Sequence, residues 1–391
     1  MPLRLPLPRR TLATRDALLE WFDSERRSLP WRGTRDPYRV WVSEVMLQQT
    51  TVSAVAARYD AFVTRFPDVA SLARAREESV LAAWSGLGYY ARARNLHRAA
   101  RAIVARHGGR LPADPAGLRE LPGFGDYIAA AVASIAFGVR VPAAEANVTR
   151  VLCRLHRIAD APGKTRERRV LALAAGLLPA ERPGDATAAL MDLGQQICTP
   201  RRPRCLACPL RSRCDAFQAG DPERYPLRAP RPAARDVHLA AAVARRADGR
   251  VLLVRADGSL LSRLWRFPSA EADRPDAARS ALAEDLARYG LRLAQAPPVG
   301  SARHTIMNRR ISVRVYGAEG SAAAREDAIP DVASDGRRGL KWMSPRELDR
   351  AAIPTLTRKI AAAAGLRESG PTEGPRRRRA RVSAKIDPPI R

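Results

Sequence analysis

The chain has 391 residues, of which 46% are hydrophobic and 28% charged, close enough to globular averages to exclude a wholly disordered, collagen-like or fibrous polymer. At about 150 residues per domain, two or three domains are expected. A formal charge of +28, with a pI near 11.3, points to a polyanionic partner, because basic side chains displace counterions from phosphates. Only four of the cations are lysines, so part of the excess also fits a compositional bias toward arginine. No apolar run approaches the roughly 20 residues of a bilayer span, and the proline-broken start lacks the apolar core of a signal peptide. No membrane partner is therefore expected, and a cytoplasmic location is.

Residues 1–10 read as an N-terminal extension and 11–217 as a helical domain with almost no strand pattern. Val52, Val55, Ala56, Tyr59, Phe62 and Phe66 form one helical face. Asp114 and Pro115 open a short helix, Leu121-Pro122-Gly123-Phe124-Gly125 breaks it, and Asp126 is expected to cap a second helix ending at Gly138. Val148, Val151, Leu152, Leu155 and Ile158 predict a further amphipathic helix capped by Asn147. Prolines among arginines make 218–235 an extended linker. Beyond it, 236–367 reads as mixed α and β, with strands at 238–244, 250–254 and 311–316. Residues 368–391, with four consecutive arginines from Arg376, predict a disordered basic tail.

Two features carry chemistry on spacing alone. Gly123 and Gly125 flank one apolar residue, allow a tight turn and bare backbone N–H groups beside a helix start, and so suit a phosphate oxygen, although an ordinary helical corner uses the same residues. Cys198, Cys205, Cys208 and Cys214 crowd into seventeen residues, an arrangement that serves zinc or an iron–sulfur cluster. Cys153 lies outside that spacing and reads as a core residue.

Several longer strings resemble one family. Leu29-Pro30-Trp31-Arg32, Trp41-Val42-Ser43-Glu44-Val45-Met46-Leu47-Gln48-Gln49-Thr50, Gly86-Leu87-Gly88-Tyr89-Tyr90, the hairpin and the cysteine loop are together similar to the adenine DNA glycosylases of the helix-hairpin-helix superfamily. The resemblance implies a mostly α, two-lobed glycosylase domain with a [4Fe-4S] cluster on the four cysteines. It implies a partner, double-stranded DNA carrying adenine opposite 8-oxoguanine or guanine, and a protein acting as a monomer. It places the catalytic acid on Glu44, which protonates adenine at N7 as the glycosidic bond lengthens. Glu145 becomes the second carboxylate, stabilising the sugar cation or activating water, with Asn147 orienting the sugar. Tyr127 stands where bifunctional relatives carry a Schiff-base lysine, so direct attack by water is implied. Gln49 and Tyr89 match residues that fill the gap left by a flipped base, and Trp31, Arg32, Thr50, Gly123 and Gly125 are expected at the DNA.

Residues 236–367 resemble the Nudix-like module of the same enzymes through Arg250-Val251-Leu252-Leu253-Val254 and Leu264-Trp265-Arg266-Phe267-Pro268, giving an α+β second domain. The segment Asp276–Gly290 has too few acids for a Mg²⁺-binding Nudix box. Relatives read 8-oxoguanine through Phe-Ser-His after His-Thr; here the string is His304-Thr305-Ile306-Met307-Asn308, so His304, Met307 and Asn308 are the expected contacts. Further departures are Glu145-Ala146-Asn147 for Asp-Gly-Asn, and Ala188 where relatives carry glutamine or glutamate. These leave two alternatives open: a glycosylase for another mismatched base such as thymine, or a non-catalytic DNA-binding paralogue.

Overall fold

The computed structural model describes residues 8–229, 232–255, 264–320 and 339–366; the predicted tail lies outside them. Two compact units divide near residue 233, with 350–354 belonging to the first.

In the first unit eleven helices precede the cysteine loop: α1 (Arg9–Glu25), α2 (Pro37–Leu47), α3 (Val52–Arg65), α4 (Val69–Arg74), α5 (Glu77–Ala83), α6 (Ala91–His107), α7 (Pro115–Arg119), α8 (Asp126–Phe137), α9 (Ala146–Leu155), α10 (Lys164–Gly176) and α11 (Pro183–Gln196). Their ends follow local chemistry. The Asp36 carboxylate accepts from the Arg39 N–H with Pro37 at the first helical position, and Asp68 forms a capping box with Ser71. Gly108 and Gly138 close α6 and α8 in the left-handed conformation.

Two predicted caps shift. Gly125, not Asp126, precedes α8; Asp126 is already helical, and its side chain faces solvent beside Arg119. Glu145, not Asn147, caps α9: its longer side chain reaches the Val148 N–H at 3.3 Å, so the helix starts one residue before Asn147.

One core of this unit gathers Leu18 and Phe22 of α1, the apolar face of α9, and Ala189, Leu190 and Leu193 of α11, with Cys153 fully buried among them. Helices α9 and α11 approach so closely that a Cβ on Gly194 would lie 2.6 Å from the Cβ of Asn147. Glycine is therefore required where α11 passes the start of α9.

The second unit holds more strands than the three predicted: β1 (Arg235–Ala244), β2 (Val251–Arg255), β3 (Trp265–Arg266), β4 (Ser269–Ala272), β5 (Leu291–Leu293), β6 (Gly300–Ile306), β7 (Arg309–Gly320) and β8 (Leu340–Met343). A mixed sheet runs β4-β1-β7-β5, with β6 also on β7, and β3-β2-β8 form a second sheet. Strands β1 and β7 are parallel from Arg235↔Arg309 to Ala244↔Ala318. Helix α13 (Pro275–Ala287), named after a short α12 (Asp215–Gln218), covers the first sheet with Ala278, Leu282 and Leu286.

Candidate active site

Glu44 lies on α2 between Ser43 and Val45, both buried, and is itself only 5% exposed. Valines, Trp41 and Met46 bury the rest of that helix, and Trp41 stacks on Phe124 of the hairpin at 5.2 Å. The hairpin is thus fixed to the helix that carries Glu44. Burial drives the Glu44 carboxyl above the ordinary glutamate range, opposed by a hydrogen bond from Tyr127 and by the Arg32 charge. The Tyr127 hydroxyl, on the first turn of α8, donates to Glu44 Oε2 at 2.7 Å. Desolvation and the two nearby glutamates hold its own ionisation well above normal, so it remains a donor.

Glu145 is also raised by burial, but the groups bonded to it work the other way. The Val148 N–H and the backbone and side chain of Asn147 all favour its anion, as does Arg150. Negative charge on Glu145 in turn favours the protonated form of Glu44. Asn147 Oδ1 accepts from Arg150 Nη2 at 2.7 Å. The structure therefore brings Glu44, Tyr127, Glu145 and Asn147 into one electrostatic group.

Gln49 and Tyr89 share an unusual property. Their backbones sit at φ 54° and 46°, in the left-handed region disfavoured for side-chain-bearing residues, and both are exposed, Tyr89 at 52%. Strained, solvent-facing residues of this kind concentrate at binding sites. Between them lies Arg92, which donates to the carbonyls of Val45, Met46, Leu87 and Gly88 and to Thr50 Oγ1. Thr50 thus ties the two loops together instead of facing outward. Trp31 and Arg32 also depart from expectation: Trp31 is buried edge-on against Tyr59, and Arg32 is bound by the buried Asp192. In the hairpin, Gly123 is left-handed and a Cβ there would strike Asn95, whereas a Cβ on Gly125 would meet nothing within 4 Å. The second glycine leaves its surface open to an incoming group.

All four clustered cysteines are free and line one small cavity of about 30 Å³ with Arg154, Ile197 and Phe217. Arg154 grips the loop, donating to Cys198 Sγ at 3.3 Å and to the Thr199, Pro200 and Tyr225 carbonyls, while the Cys214 thiol faces its backbone oxygen. Burial, with a smaller contribution from the neighbouring sulfurs, pushes the Cys208 thiol up to about 12 against a hydrogen bond from the Leu210 backbone. Such sulfur crowding suits a multi-iron centre that takes one thiolate per iron. Among the described residues no three His, Cys, Asp or Glu side chains are grouped to hold a metal ion. One turn before Arg154, Arg150 joins Asn147 to the Gly194 and Cys198 carbonyls.

In the second unit, Met307 and Asn308 form the two-residue turn between β6 and β7, where Ile306 pairs with Arg309. Met307 is left-handed, at φ 54°, and 75% exposed. His304 lies on β6, partly buried, with its basicity lowered by desolvation and by Lys359.

Sequence reading did not single out Arg92, Arg150, Arg154, Asp192 or Arg27. Each works through a partner distant in the chain, and in a chain with 68 basic residues no single arginine stands out.

The helical architecture, the hairpin and the buried acid define a base-excision glycosylase fold. Residues 42–174 match the HhH-GPD superfamily of base excision DNA repair proteins, and residues 240–363 match the NUDIX domain. The human adenine DNA glycosylase is 33% identical over 406 residues, covering 89% of this chain and 73% of the human protein. The Mycolicibacterium smegmatis adenine DNA glycosylase is 40% identical over 266 residues, 66% of this chain and 87% of that protein. A solved thermostable thymine-DNA glycosylase aligns over 54% of this chain and 97% of its own, with 29% identity and a TM-score of 0.48. The chain belongs to the adenine DNA glycosylase family. Members of the superfamily commonly bind an iron–sulfur cluster, and none of the helices among the described residues is long and apolar enough to cross a membrane.

Proposed function

We infer that this chain excises adenine from duplex DNA, where it stands opposite 8-oxoguanine or guanine, by acid-assisted hydrolysis of the N-glycosidic bond. The observation that carries this reading is the contrast between its two carboxyls. Glu44 is buried and accepts one hydrogen bond, whereas Glu145 is surrounded by donors. Environments that separate two carboxyls in this way assign the acid and the anion.

Glu44 gives its proton to adenine N7, and the bond to deoxyribose lengthens as the base becomes a neutral leaving group. Tyr127 already donates to Oε2, which leaves Oε1 to hold the proton. Glu145, ionised, stabilises the developing positive charge on the sugar and orients the incoming water, while Asn147, braced by Arg150, holds the sugar. Position 127 carries no amine and Lys164 is the single lysine in residues 11–217, so hydrolysis proceeds without an imine. Gln49 and Tyr89 take the space of the extruded base, and Gly125 receives a backbone phosphate at the start of α8. Cys198, Cys205, Cys208 and Cys214 would hold a [4Fe-4S] cluster, which when bound supplies a rigid metal–thiolate crosslink to an arginine-rich loop. Met307, Asn308 and His304 form the reader for the opposite base, in a module of residues 236–367 that follows the glycosylase domain of 11–217.

Single-turnover assays on duplexes with adenine, thymine or cytosine opposite 8-oxoguanine and guanine test this directly. Adenine release is expected from the first set, lost by about 10²- to 10⁴-fold in Glu44→Gln with DNA binding retained. Release of thymine alone, or none from any duplex, would overturn the reading.

A further inference from the structure

Asp192, on α11, is fully buried, and a single oxygen of it binds two cations. Oδ1 accepts from Arg27 Nη2 at 2.6 Å and from Arg32 Nη2 at 2.5 Å. Oδ2 has no hydrogen-bond partner, nor do the Nε atoms of either arginine. Arg27 also donates to Gln195 at 2.6 Å, and Arg32 lies over the Phe22 ring. A purely structural ion pair in such a place would be expected to use both carboxylate oxygens. This one concentrates two guanidinium groups on one edge, and Met191, next to Asp192 on α11, lies 3.8 Å from the Tyr127 hydroxyl that donates to Glu44.

The groups around Glu44 can be taken element by element. Tyr127 comes from α8, Glu145 from the start of α9, Asp192 from α11, and Arg32 from the segment before α2. Arg92 of α6 and Tyr59 of α3 spend their donors on the Val45, Met46 and Arg39 carbonyls of α2 itself. Arg32 is thus the one cation among the named influences on Glu44, and Asp192 holds it. An acid that must stay protonated is harmed by a free guanidinium nearby, which draws the proton off by favouring the anion.

We propose that Asp192 is a positioning residue of the excision reaction, occupying Arg32, with Arg27 as its second anchor, so that Glu44 keeps its proton. The proposal rests on Glu44 being the acid of the reading above. It assigns Arg32 to tuning that acid and not to the DNA backbone. The direct Coulomb effects agree in sign: Asp192 raises Glu44 and Arg32 lowers it.

The test titrates Glu44 itself in the full-length protein, by carboxyl infrared difference spectra against Glu44→Gln, alongside the pH profile of adenine release. Asp192→Asn is expected to move the Glu44 midpoint, and the falling limb of the profile, down by about one pH unit. At a pH above that limb, release then drops about tenfold while the low-pH rate changes far less. Arg32→Gln, which leaves Asp192 paired to Arg27, is expected to move both up, and the double variant to return them toward wild type. Asp192→Glu should restore the wild-type limb. Should Asp192→Asn fail to fold, the upward movement in Arg32→Gln decides alone. Midpoints that stay put, or that move the same way in both single variants, would overturn the proposal. The infrared midpoint reads the network even if the wild type releases no adenine, an outcome that would refute the functional reading alone.

Discussion

Replacing Tyr127 with phenylalanine removes one hydroxyl from the site and little volume. That hydroxyl donates at 2.7 Å to Glu44 Oε2, and the bond strengthens during the reaction because Glu44 ends as a carboxylate. A hydrogen bond between neutral groups is worth about 0.5–1.5 kcal/mol and one to a charged group about 1.5–3. The difference, about 1–1.5 kcal/mol, is felt only as the proton leaves and corresponds to a roughly tenfold slower step. A second effect has its own sign. Tyr127 lowers a carboxyl that burial has raised; without it Glu44 stays protonated to higher pH, so the falling limb of the pH–rate profile moves up as the plateau falls. Single-turnover release of adenine measured from pH 5 to 9 separates the two. An unchanged plateau, or a limb that moves down, would refute the assignment of Tyr127 as the partner of the acid.

Three further outcomes are expected. Gly194→Ala, whose Cβ would sit 2.6 Å from the Asn147 Cβ, should destabilise the first unit by about 1–3 kcal/mol in urea unfolding and slow excision, whereas wild-type stability would show that α9 and α11 separate freely. Protein purified without oxygen should contain iron and acid-labile sulfide, both lost in Cys205→Ser together with most DNA binding; stoichiometric zinc without iron would count against the cluster. Grafting Ile306→Phe, Met307→Ser and Asn308→His should widen the preference for adenine opposite 8-oxoguanine over guanine by about 1–3 kcal/mol. A strong preference in the unaltered protein, undiminished by Met307→Ala, would place the reader elsewhere.

What could be read in the sequence was what acts locally. The ten-residue string around Glu44, the spacing of the cysteines and the glycines of the hairpin all carry their meaning within one turn or loop. Val40, Trp41 and Val42, which precede Glu44 in the chain, are apolar and are buried together with it. The cap of α9 was misassigned because asparagine is the stronger capping residue by preference, and only the backbone shows that Glu145 reaches Val148. Strand β1 was recognised in part although its Leu239–Ala244 stretch is mostly alanine, a helix former; its ten-residue extent came from pairing with β7, about seventy residues on. Short strands such as β3 and β5 have too few residues to show alternation. The Asp192 pair and the Arg150 bridge were invisible for another reason: a salt bridge across 160 residues leaves no periodic mark, and arginine is the commonest cation here.

The left-handed backbones at Gln49 and Tyr89 have a consequence for how the fold divides its stability. Each such conformation costs on the order of 1–3 kcal/mol, and Arg92 holds both in place from α6 through carbonyls on either side. The tension is therefore present before any ligand arrives, and the two tips stand ready without a rearrangement on encounter. Gln49→Gly would relax one of them, giving a sturdier protein with a slacker probe. Resistance to heat and the rate of finding a lesion would then move in opposite directions, and this loop pair is where selection for thermostability would be expected to erode function first.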